Sequence, residues 1–238
     1  MDATNTGQID RKVWYLQRLD LFLSLTEQEI EEIASGLNDY YVPTGAELFH
    51  ERQREAIYLI KEGAVQLYTH HEQHRATLAL LGPGRLFGLS EDFGESRSMI
   101  GATALEPSYI CSATWPQILQ LFGRFPDVMG KMTQALIEQI FYAETWLERR
   151  NVSPPRVRLA ELLLELCDDF GQPSEPGIKL KFRLTQRDIG GMLNLSRETI
   201  SRLIGQFRRA GWIGRQRGLL IIRDRGALQA VVSGHDTP

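Results

Sequence analysis

The segment that most constrains this 238-residue chain is Thr185–Phe207, which reads TQRDIGGMLNLSRETISRLIGQF. Its apolar residues are spaced to form the shared core of two short helices that cross at a steep angle. Thr185 and Ser196 each stand where they can cap a helix N-terminus. Asn194 stands in the tight turn, where Asn tolerates a left-handed backbone, and Gly190 stands where a side chain would clash with the second helix. The core residues of this predicted helix-turn-helix are Ile189, Leu193, Leu195, Ile200 and Leu203.

The second predicted helix starts at Arg197 and has a polar face near its N-terminal end. In DNA-binding helix-turn-helix units, this end reaches base edges in the major groove. An arginine can bind guanine O6 and N7, and a glutamate can accept from cytosine N4. Gln186 and Arg187, at the start of the first helix, are expected to contact phosphates instead. The predicted DNA-binding residues are Gln186, Arg187, Ser196, Arg197, Glu198, Thr199, Ser201 and Arg202.

The charge distribution agrees with this prediction. Residues 171–225 carry 12 Lys+Arg and 4 Asp+Glu, whereas the rest of the chain carries 15 basic and 26 acidic residues. A basic C-terminal segment in a chain of net charge −3 is typical of binding to a phosphate backbone. A plain solvated basic surface is the alternative that charge alone leaves open.

A predicted hairpin follows the two helices. Its strands are Trp212–Gln216 and Leu219–Arg223, and its turn is Arg217-Gly218. The hairpin makes the unit a winged helix, whose tip at Arg215–Gly218 is placed to touch phosphate.

The N-terminal half has a different pattern of predicted secondary structure. Asp10–Asn38 has helical spacing, and Thr26 is expected to cap a helix over Glu27–Leu37 with Glu29 at its third position. Short β-rich runs then alternate with turn signals such as Gly82-Pro83-Gly84, which predicts an antiparallel sandwich or jelly roll. The predicted strands are Glu47–His50, Ala56–Ile60, Ala64–Thr69, Ala76–Leu81, Met99–Ala104 and Tyr109–Ala113.

Three helices are predicted between the strands and the basic segment: Trp115–Phe122, a long one over Asp127–Asn151, and Arg158–Phe170. The long helix has an apolar seam with spacings of three and four residues, which favours a coiled-coil homodimer. Packing of the seam against the chain's own sheet is the alternative. Ser153-Pro154-Pro155 is the predicted domain boundary, and Gly171–Gly177 is a predicted loop. The seam consists of Met129, Met132, Leu136, Ile140, Ala143 and Leu147.

Several functional classes are disfavoured. No apolar run approaches the ~18 residues of a membrane span, and Met1–Gly7 lacks an apolar signal core, so we expect a cytoplasmic protein without membrane contact. No nucleophile–base pairing, metal-ligand spacing or phosphate loop is evident, so we expect neither an enzyme nor a bound cofactor or metal. His70, His71 and His74 fall at a predicted hairpin tip and are read as solvated turn residues. Metal or redox sensing by these histidines, or by Cys111 and Cys167, is not settled by the sequence.

The phrase Ser196-Arg197-Glu198-Thr199-Ile200-Ser201-Arg202 resembles the recognition-helix signature of the CRP/FNR superfamily of bacterial transcription regulators. The resemblance extends from about Asp20 to Ala230. Pro43-Thr44-Gly45 through Tyr68 looks like the opening strands of that family's sensor jelly roll, and Gly82-Pro83-Gly84 with Leu86-Phe87-Gly88 looks like the approach to its effector cassette. The resemblance implies a homodimer with a cyclic-nucleotide-binding-like β-domain and a C-terminal winged helix.

The departures from that family bear on the effector. In cyclic-AMP-binding members a Gly-Glu pair holds the ribose and an Arg-Ser pair holds the cyclic phosphate. Here Gly88 is followed by Leu89, although Arg97-Ser98 is retained. The Thr-Ser pair that reads adenine is also lacking, with Ala143-Glu144 as the nearest match. The resemblance therefore implies a candidate effector pocket at Gly88, Leu89, Arg97 and Ser98 that is either ligand-free or tuned to a molecule other than cyclic AMP. A plain surface turn is the alternative for Arg97-Ser98.

Together these observations predict an α+β protein with an N-terminal jelly-roll sensor domain over 1–125, a dimerisation helix over 126–153 and a winged helix-turn-helix over 154–238. The predicted function is that of a dimeric transcription regulator that binds double-stranded DNA at TGTGA-like palindromes. We expect it to activate, with RNA polymerase as partner, and to act without cyclic AMP. The alternative is a cyclic-nucleotide- or metabolite-binding module whose helix-turn-helix serves only as an interaction surface.

Overall fold

A computed structural model describes residues 13–17, 19, 22–49, 56–71, 74–88 and 100–234. The chain forms two compact units. The first comprises the residues up to Val65 together with Leu81–Ala143, and the second comprises Gln66–Leu80 together with the residues from Glu144 onward. Within the described residues, no helix is long and apolar enough to cross a membrane. The predicted division at residues 126 and 154 stays a prediction.

Eight strands lie between residues 38 and 114 and form two four-stranded sheets, in the orders β1-β8-β3-β6 and β2-β7-β4-β5. Two antiparallel four-stranded sheets from this segment confirm the predicted jelly roll. The strands are β1 (Asn38–Val42), β2 (Glu47–Phe49), β3 (Ala56–Glu62), β4 (Val65–His71), β5 (His74–Leu81), β6 (Leu86–Gly88), β7 (Ile100–Ala104) and β8 (Ser108–Thr114).

All six predicted strands are found within the described residues, with ends that differ by a few residues and with His50 and Met99 outside the description. Strands β1 and β6 were not predicted. β1 pairs with β8, with Tyr40 opposite Ile110. Only Val42 of this strand is buried. The strand therefore has no alternation of apolar and polar residues by which it could be recognised in the sequence. β6 is only three residues long and pairs with β3 at Leu59 and Leu86.

The first unit also contains helices α1 (Glu27–Gly36) and α2 (Trp115–Arg124) and most of α3 (Pro126–Val152). Thr26 and Glu29 form the predicted capping box at the start of α1. Before Thr26, the helical spacing predicted from Asp10 is only partly found, because the described residues form a short helical segment at Val13–Leu16 followed by turns. Leu16 and Phe22 nevertheless pack into the core.

Helix α3 has two apolar faces with different surroundings. Val128 and Met132 are buried in the core of the first unit, with exposures of 0% and 6%, and Ala135 packs beside them. The predicted seam is thus divided, because Met132 is covered by its own unit. A second face, rotated around the helix, exposes 45–63% of each of its large side chains. These exposed residues are Met129, Leu136, Ile137, Ile140 and Phe141.

The second unit contains the rest of the fold. Its helices are α4 (Pro155–Phe170), α5 (Gln186–Leu193), α6 (Arg197–Arg209) and α7 (Arg225–Val232), and its additional strands are β9 (Gly171–Ser174), β10 (Gly177–Leu180), β11 (Ile213–Gln216) and β12 (Leu219–Ile222). The strands form one sheet in the order β11-β12-β10-β9. The predicted loop at Gly171–Gly177 is wrong, because these residues begin a hairpin in which Ile178 pairs with Pro173 and with Ile222. Helix α7 was not predicted.

Candidate nucleic-acid interface

Helix α5 begins at a complete capping box. The Thr185 hydroxyl accepts a hydrogen bond from the Asp188 amide at 3.1 Å, and Asp188 Oδ2 accepts from the Thr185 amide at 2.8 Å. Two of the amide groups that a helix start leaves without partners are satisfied in this way. The predicted cap is confirmed, and it fixes the first turn, which carries Gln186 and Arg187. Gln186 is half-buried and Arg187 is exposed.

The turn between α5 and α6 is set by two residues. Asn194 has φ 51° and ψ 48°, which confirms the predicted left-handed backbone. The Leu195 amide then donates to the Gly190 carbonyl at 2.9 Å. A Cβ on Gly190 would lie 2.8 Å from the Leu195 carbonyl oxygen, closer than carbon and oxygen normally approach. The predicted need for glycine is therefore confirmed, although its nearest neighbour is the backbone of the turn rather than helix α6.

Helix α6 is oriented by one buried stripe. Ser196 caps its N-terminus by accepting from the Thr199 amide at 3.2 Å, as predicted. Ile200, Leu203 and Phe207 are buried, together with Ile204. Full burial of one such side chain contributes about 1.5–3 kcal/mol to stability. The stripe leaves the opposite side of the helix facing solvent.

The predicted base-reading residues lie together on that opposite side. Arg197, Glu198, Ser201 and Arg202 are all exposed, while Thr199 is half-buried beside the cap. The carboxylate of Glu198 accepts from its own backbone amide and from the Ser196 side chain, and these bonds lower its pKa below the usual value. Arg197 lowers the pKa further. Glu198 therefore stays ionised at neutral pH and can only accept hydrogen bonds, as recognition of cytosine N4 requires.

Helix α4 supports this arrangement through two arginines that the sequence analysis did not single out. Arg158 Nη1 donates to the Leu193 carbonyl at 3.2 Å, at the C-terminal end of α5. The guanidinium of Arg156 lies 5.4 Å from the ring centre of Trp212, the residue that leads into β11. A cation at a helix C-terminus and one over an indole ring are both favourable. Helix α4 thus contacts the end of α5 at Leu193 and the segment at Trp212 that follows α6.

Strands β4 and β5 contribute a further contact within the second unit. Gln66 Nε2 donates to Asp188 Oδ1 at 3.0 Å and to Thr77 Oγ1 at 2.7 Å. Asp188 therefore caps α5 with one oxygen and accepts from Gln66 with the other. More than 100 residues separate Gln66 from Asp188, so no local pattern in the sequence could have indicated this contact.

The other predicted sites are only partly described. Gly88 ends β6, while Leu89, Arg97 and Ser98 lie outside the described residues, as do the side chains of His70, His71 and His74. Ala143 and Leu147 lie on α3, and their side chains also fall outside the description. Among the described residues no cluster of His, Cys, Asp or Glu could hold a metal.

Both cysteines are free and buried. Burial raises the pKa of the Cys167 thiol to about 11, with Asp168 adding to the rise and Arg225 opposing it. The Cys111 thiol faces the Leu59 carbonyl at 3.8 Å. A buried thiol with a raised pKa is a poor nucleophile, so Cys167 lacks the properties of a redox sensor.

Comparison with known proteins decides the family. The sequence model of the cyclic nucleotide-binding domain matches residues 41–125, and that of the Crp-like helix-turn-helix domain matches residues 157–231. The global nitrogen regulator of a Synechocystis species is 32% identical over 162 residues, which cover 67% of this chain and 72% of the relative. The chain belongs to the CRP/FNR family of DNA-binding transcription regulators.

Other members of the CRP/FNR family match over most of the chain. The cyclic AMP receptor protein of Thermus thermophilus is 27% identical over 90% of this chain and 97% of its own length. The fumarate and nitrate reduction regulatory protein of Escherichia coli is 25% identical over 92% of this chain and 88% of its own. The structure of FixK2 from Bradyrhizobium japonicum superimposes with a TM-score of 0.68 at 23% identity and covers 82% of this chain and 96% of its own, which supports the fold.

Proposed function

We propose that this CRP/FNR-type regulator is a homodimer that binds palindromes close to TGTGA–TCACA and activates transcription at them. The observation that carries the proposal is the exposed N-terminal face of α6, where Arg197, Glu198 and Arg202 lie beside a capped and buried helix scaffold. Two arginines that each bind a guanine, and one glutamate that accepts from a cytosine, suit a half-site with G·C pairs at fixed positions. Gln186 and Arg187 contact the flanking phosphates.

Dimerisation occurs through the exposed apolar face of α3, which bears Met129, Leu136 and Ile140 from the predicted seam together with Ile137 and Phe141. Five large apolar side chains on one helix face favour burial against a second copy. A two-fold dimer presents two recognition helices, which matches a palindrome whose half-sites are one helical turn apart. Met132 has no part in the dimer contact, because its own unit covers it.

The protein acts in the cytoplasm without cyclic AMP and has no enzymatic role. Leu89 replaces the glutamate that would hold the ribose, and Glu144 would bring a negative charge toward a nucleotide. DNA binding therefore requires no added cyclic nucleotide. Activation requires contact with RNA polymerase.

A binding-site selection tests the sequence readout. Wild-type protein and Glu198→Ala are incubated with randomised duplexes at fixed salt, and bound sequences are read after several rounds. Wild type is expected to select TGTGA-like half-sites. Glu198→Ala is expected to lose preference at one base pair per half-site, at a cost of about 1–3 kcal/mol for that pair only.

Gln206→Ala is the matched control, because Gln206 is exposed on the same helix beyond its N-terminal half. This variant should select the wild-type site. If Glu198→Ala also selects an identical site at every position, Glu198 does not read a base and the proposed docking of α6 is wrong.

A further inference from the structure

The carboxylate that caps α5 makes more contacts than its cap requires. Asp188 Oδ2 accepts from the Thr185 amide at 2.8 Å and from the Thr185 hydroxyl at 2.7 Å, which completes the cap. Asp188 Oδ1 accepts from Gln66 Nε2 at 3.0 Å and from Thr77 Oγ1 at 3.3 Å. An ionised carboxylate has about four acceptor positions, so the two bonds from β4 and β5 use those that the cap leaves.

The side chains of Gln66, Thr77 and Asp188 form a closed triangle of hydrogen bonds. Gln66 Nε2 also donates to Thr77 Oγ1 at 2.7 Å, and that hydroxyl in turn donates to Asp188. Both hydrogens of the Gln66 amide and the hydrogen of the Thr77 hydroxyl are therefore used. Thr77 is buried, whereas Gln66 and Asp188 are half-buried. Hydrogen bonds to a charged group that is partly shielded from water are stronger than those between neutral groups.

A second observation shows that the same strand and helix pack closely. A Cβ on Gly191 of α5 would lie 3.0 Å from the Thr77 amide nitrogen and 3.5 Å from the Thr77 carbonyl oxygen. The backbones of α5 and β5 are therefore in direct contact about one turn after Asp188. Gln66, Thr77 and Asp188 all belong to the second unit. Strands β4 and β5 are also members of the sheet that contains β2 and β7.

We propose that Gln66 and Thr77 are positioning residues for DNA recognition, which fix α5 against the β4–β5 hairpin through the second oxygen of the capping Asp188. Helix α5 bears Arg187 and leads directly into the turn before α6, so its position sets that of the base-reading face. Two half-sites are read together only when both recognition helices are held at a fixed spacing. The inference rests on the proposed DNA-binding mode and adds an element outside residues 154–238 on which that spacing depends.

Reversing the direction of one hydrogen bond tests the proposal. Gln66→Glu places a second carboxylate beside Asp188 and should separate the hairpin from α5. In the double variant Gln66→Glu, Asp188→Asn, the new amide can still cap α5 through its oxygen while its NH₂ group donates to the new carboxylate. This double variant has the net charge of wild type. Asp188→Asn alone should bind like wild type, because the Gln66 amide can rotate to present its oxygen.

Affinity for the selected palindrome should fall by about tenfold in Gln66→Glu and return to within about twofold of wild type in the double variant. Affinity for a scrambled duplex should change by less than about twofold in both, because no phosphate contact is removed. The preference for the selected half-site spacing over one lengthened by a single base pair should shrink by at least about threefold in Gln66→Glu. A residue needed only for folding would leave that preference unchanged.

Gln66→Ala removes both donated bonds without adding a charge, and should lower the affinity for the palindrome by about threefold with the same loss of spacing preference. The proposal is overturned if Gln66→Glu binds the palindrome as tightly as wild type, if it loses affinity equally for both duplexes, or if the double variant does not recover.

A wild-type protein that prefers no palindrome over a scrambled duplex would be a failure of the proposed function instead. Native-state hydrogen exchange of the α5 amides then tests the contact by itself. Exchange should be faster in Gln66→Glu than in wild type and should slow again in the double variant. Equal exchange in all three proteins would show that the hairpin does not hold α5 and would overturn the inference without reference to DNA.

Discussion

The two units of this regulator are specified over very different sequence distances. In the second unit, Thr185, Asn194 and Ser196 set the geometry of the DNA-reading helices within a 23-residue segment. In the first unit, β8 pairs with β1 and β3, so that Ser112 lies opposite both Asn38 and Tyr58. Local caps and turns are readable from the sequence, whereas pairings between distant strands are not.

The difference extends to function. The polar face of α6 lies on adjacent turns of one helix, so Arg197, Glu198 and Arg202 can be proposed as base-reading residues from their spacing alone. The predicted effector pocket in the β-domain has no such single carrier, because Gly88 ends β6 whereas Leu89, Arg97 and Ser98 lie outside the described residues. The substitutions at Leu89 and Glu144 argue against one ligand but name no other. The predictions that follow test whether DNA binding belongs to the second unit and which features of the first unit it needs.

The largest effect is expected from the exposed face of α3. The double variant Leu136→Asp, Ile140→Asp should be monomeric, because two carboxylates would be buried in the dimer contact. Its affinity for the palindrome should fall by at least about 100-fold, since one monomer binds without the second half-site. Sedimentation and DNA titration measure both changes.

Glu138→Lys is the control for this variant, because Glu138 is exposed and stands two residues from both Leu136 and Ile140, which places it on the opposite side of the helix from them. It should remain dimeric. A dimer that survives the double substitution would contradict the assignment of this face.

Alanine substitution at two glycines of the motif should change the free energy of unfolding in opposite directions. Gly190→Ala places a Cβ 2.8 Å from the Leu195 carbonyl and should destabilise the second unit by about 1–3 kcal/mol. Gly205→Ala lies inside α6, with its nearest neighbour, Arg209 Nη1, at 3.5 Å, and should stabilise by about 0.5–1 kcal/mol. Urea unfolding of both variants provides the test. A Gly190→Ala protein as stable as wild type would show that the turn is less constrained than its geometry indicates.

The features that could be predicted from the sequence are those that depend on neighbouring residues. The caps of α1, α5 and α6, the turn at Asn194 and the wing hairpin were predicted, because each depends on residues within a few positions. The hairpin β9–β10 was missed because Pro and Gly there mark a turn and give no alternation. The division of the α3 seam was missed because helical spacing does not show which apolar face its own unit covers. The contact of Gln66 with Asp188 depends entirely on tertiary structure.

A smaller effect on DNA affinity is expected from a substitution at the start of α5. Arg187→Ala should weaken binding to specific and scrambled duplexes alike, by about fivefold per subunit at about 0.15 M salt, because a phosphate contact carries no sequence information. The salt slope should decrease by about 0.9 per subunit. A loss confined to the specific duplex would instead place Arg187 at a base.

No effect is expected from cyclic AMP or from thiol reagents. Cyclic AMP at millimolar concentration should change DNA affinity by less than about twofold, and calorimetry should detect no micromolar binding. Micromolar binding that tightens the DNA complex would reverse the interpretation of Leu89 and Glu144.

Because the pKa of Cys167 is raised to about 11, its thiol stays protonated at pH 7–8. Alkylation by iodoacetamide in the folded state should be much slower than in urea, and should accelerate only as the pH rises toward that value. Rapid labelling of Cys167 at pH 7 with loss of DNA binding would indicate a redox switch after all.

The central claim is that the second unit reads a specific DNA sequence. The most direct test is the ratio of dissociation constants of the wild-type protein for its selected palindrome and for a scrambled duplex of equal length, measured at about 0.15 M salt without added ligand. We predict a ratio of at least about 1,000 in favour of the palindrome. A ratio near one, with both affinities falling equally as salt is raised, would show that the protein binds the phosphate backbone only and would contradict the account.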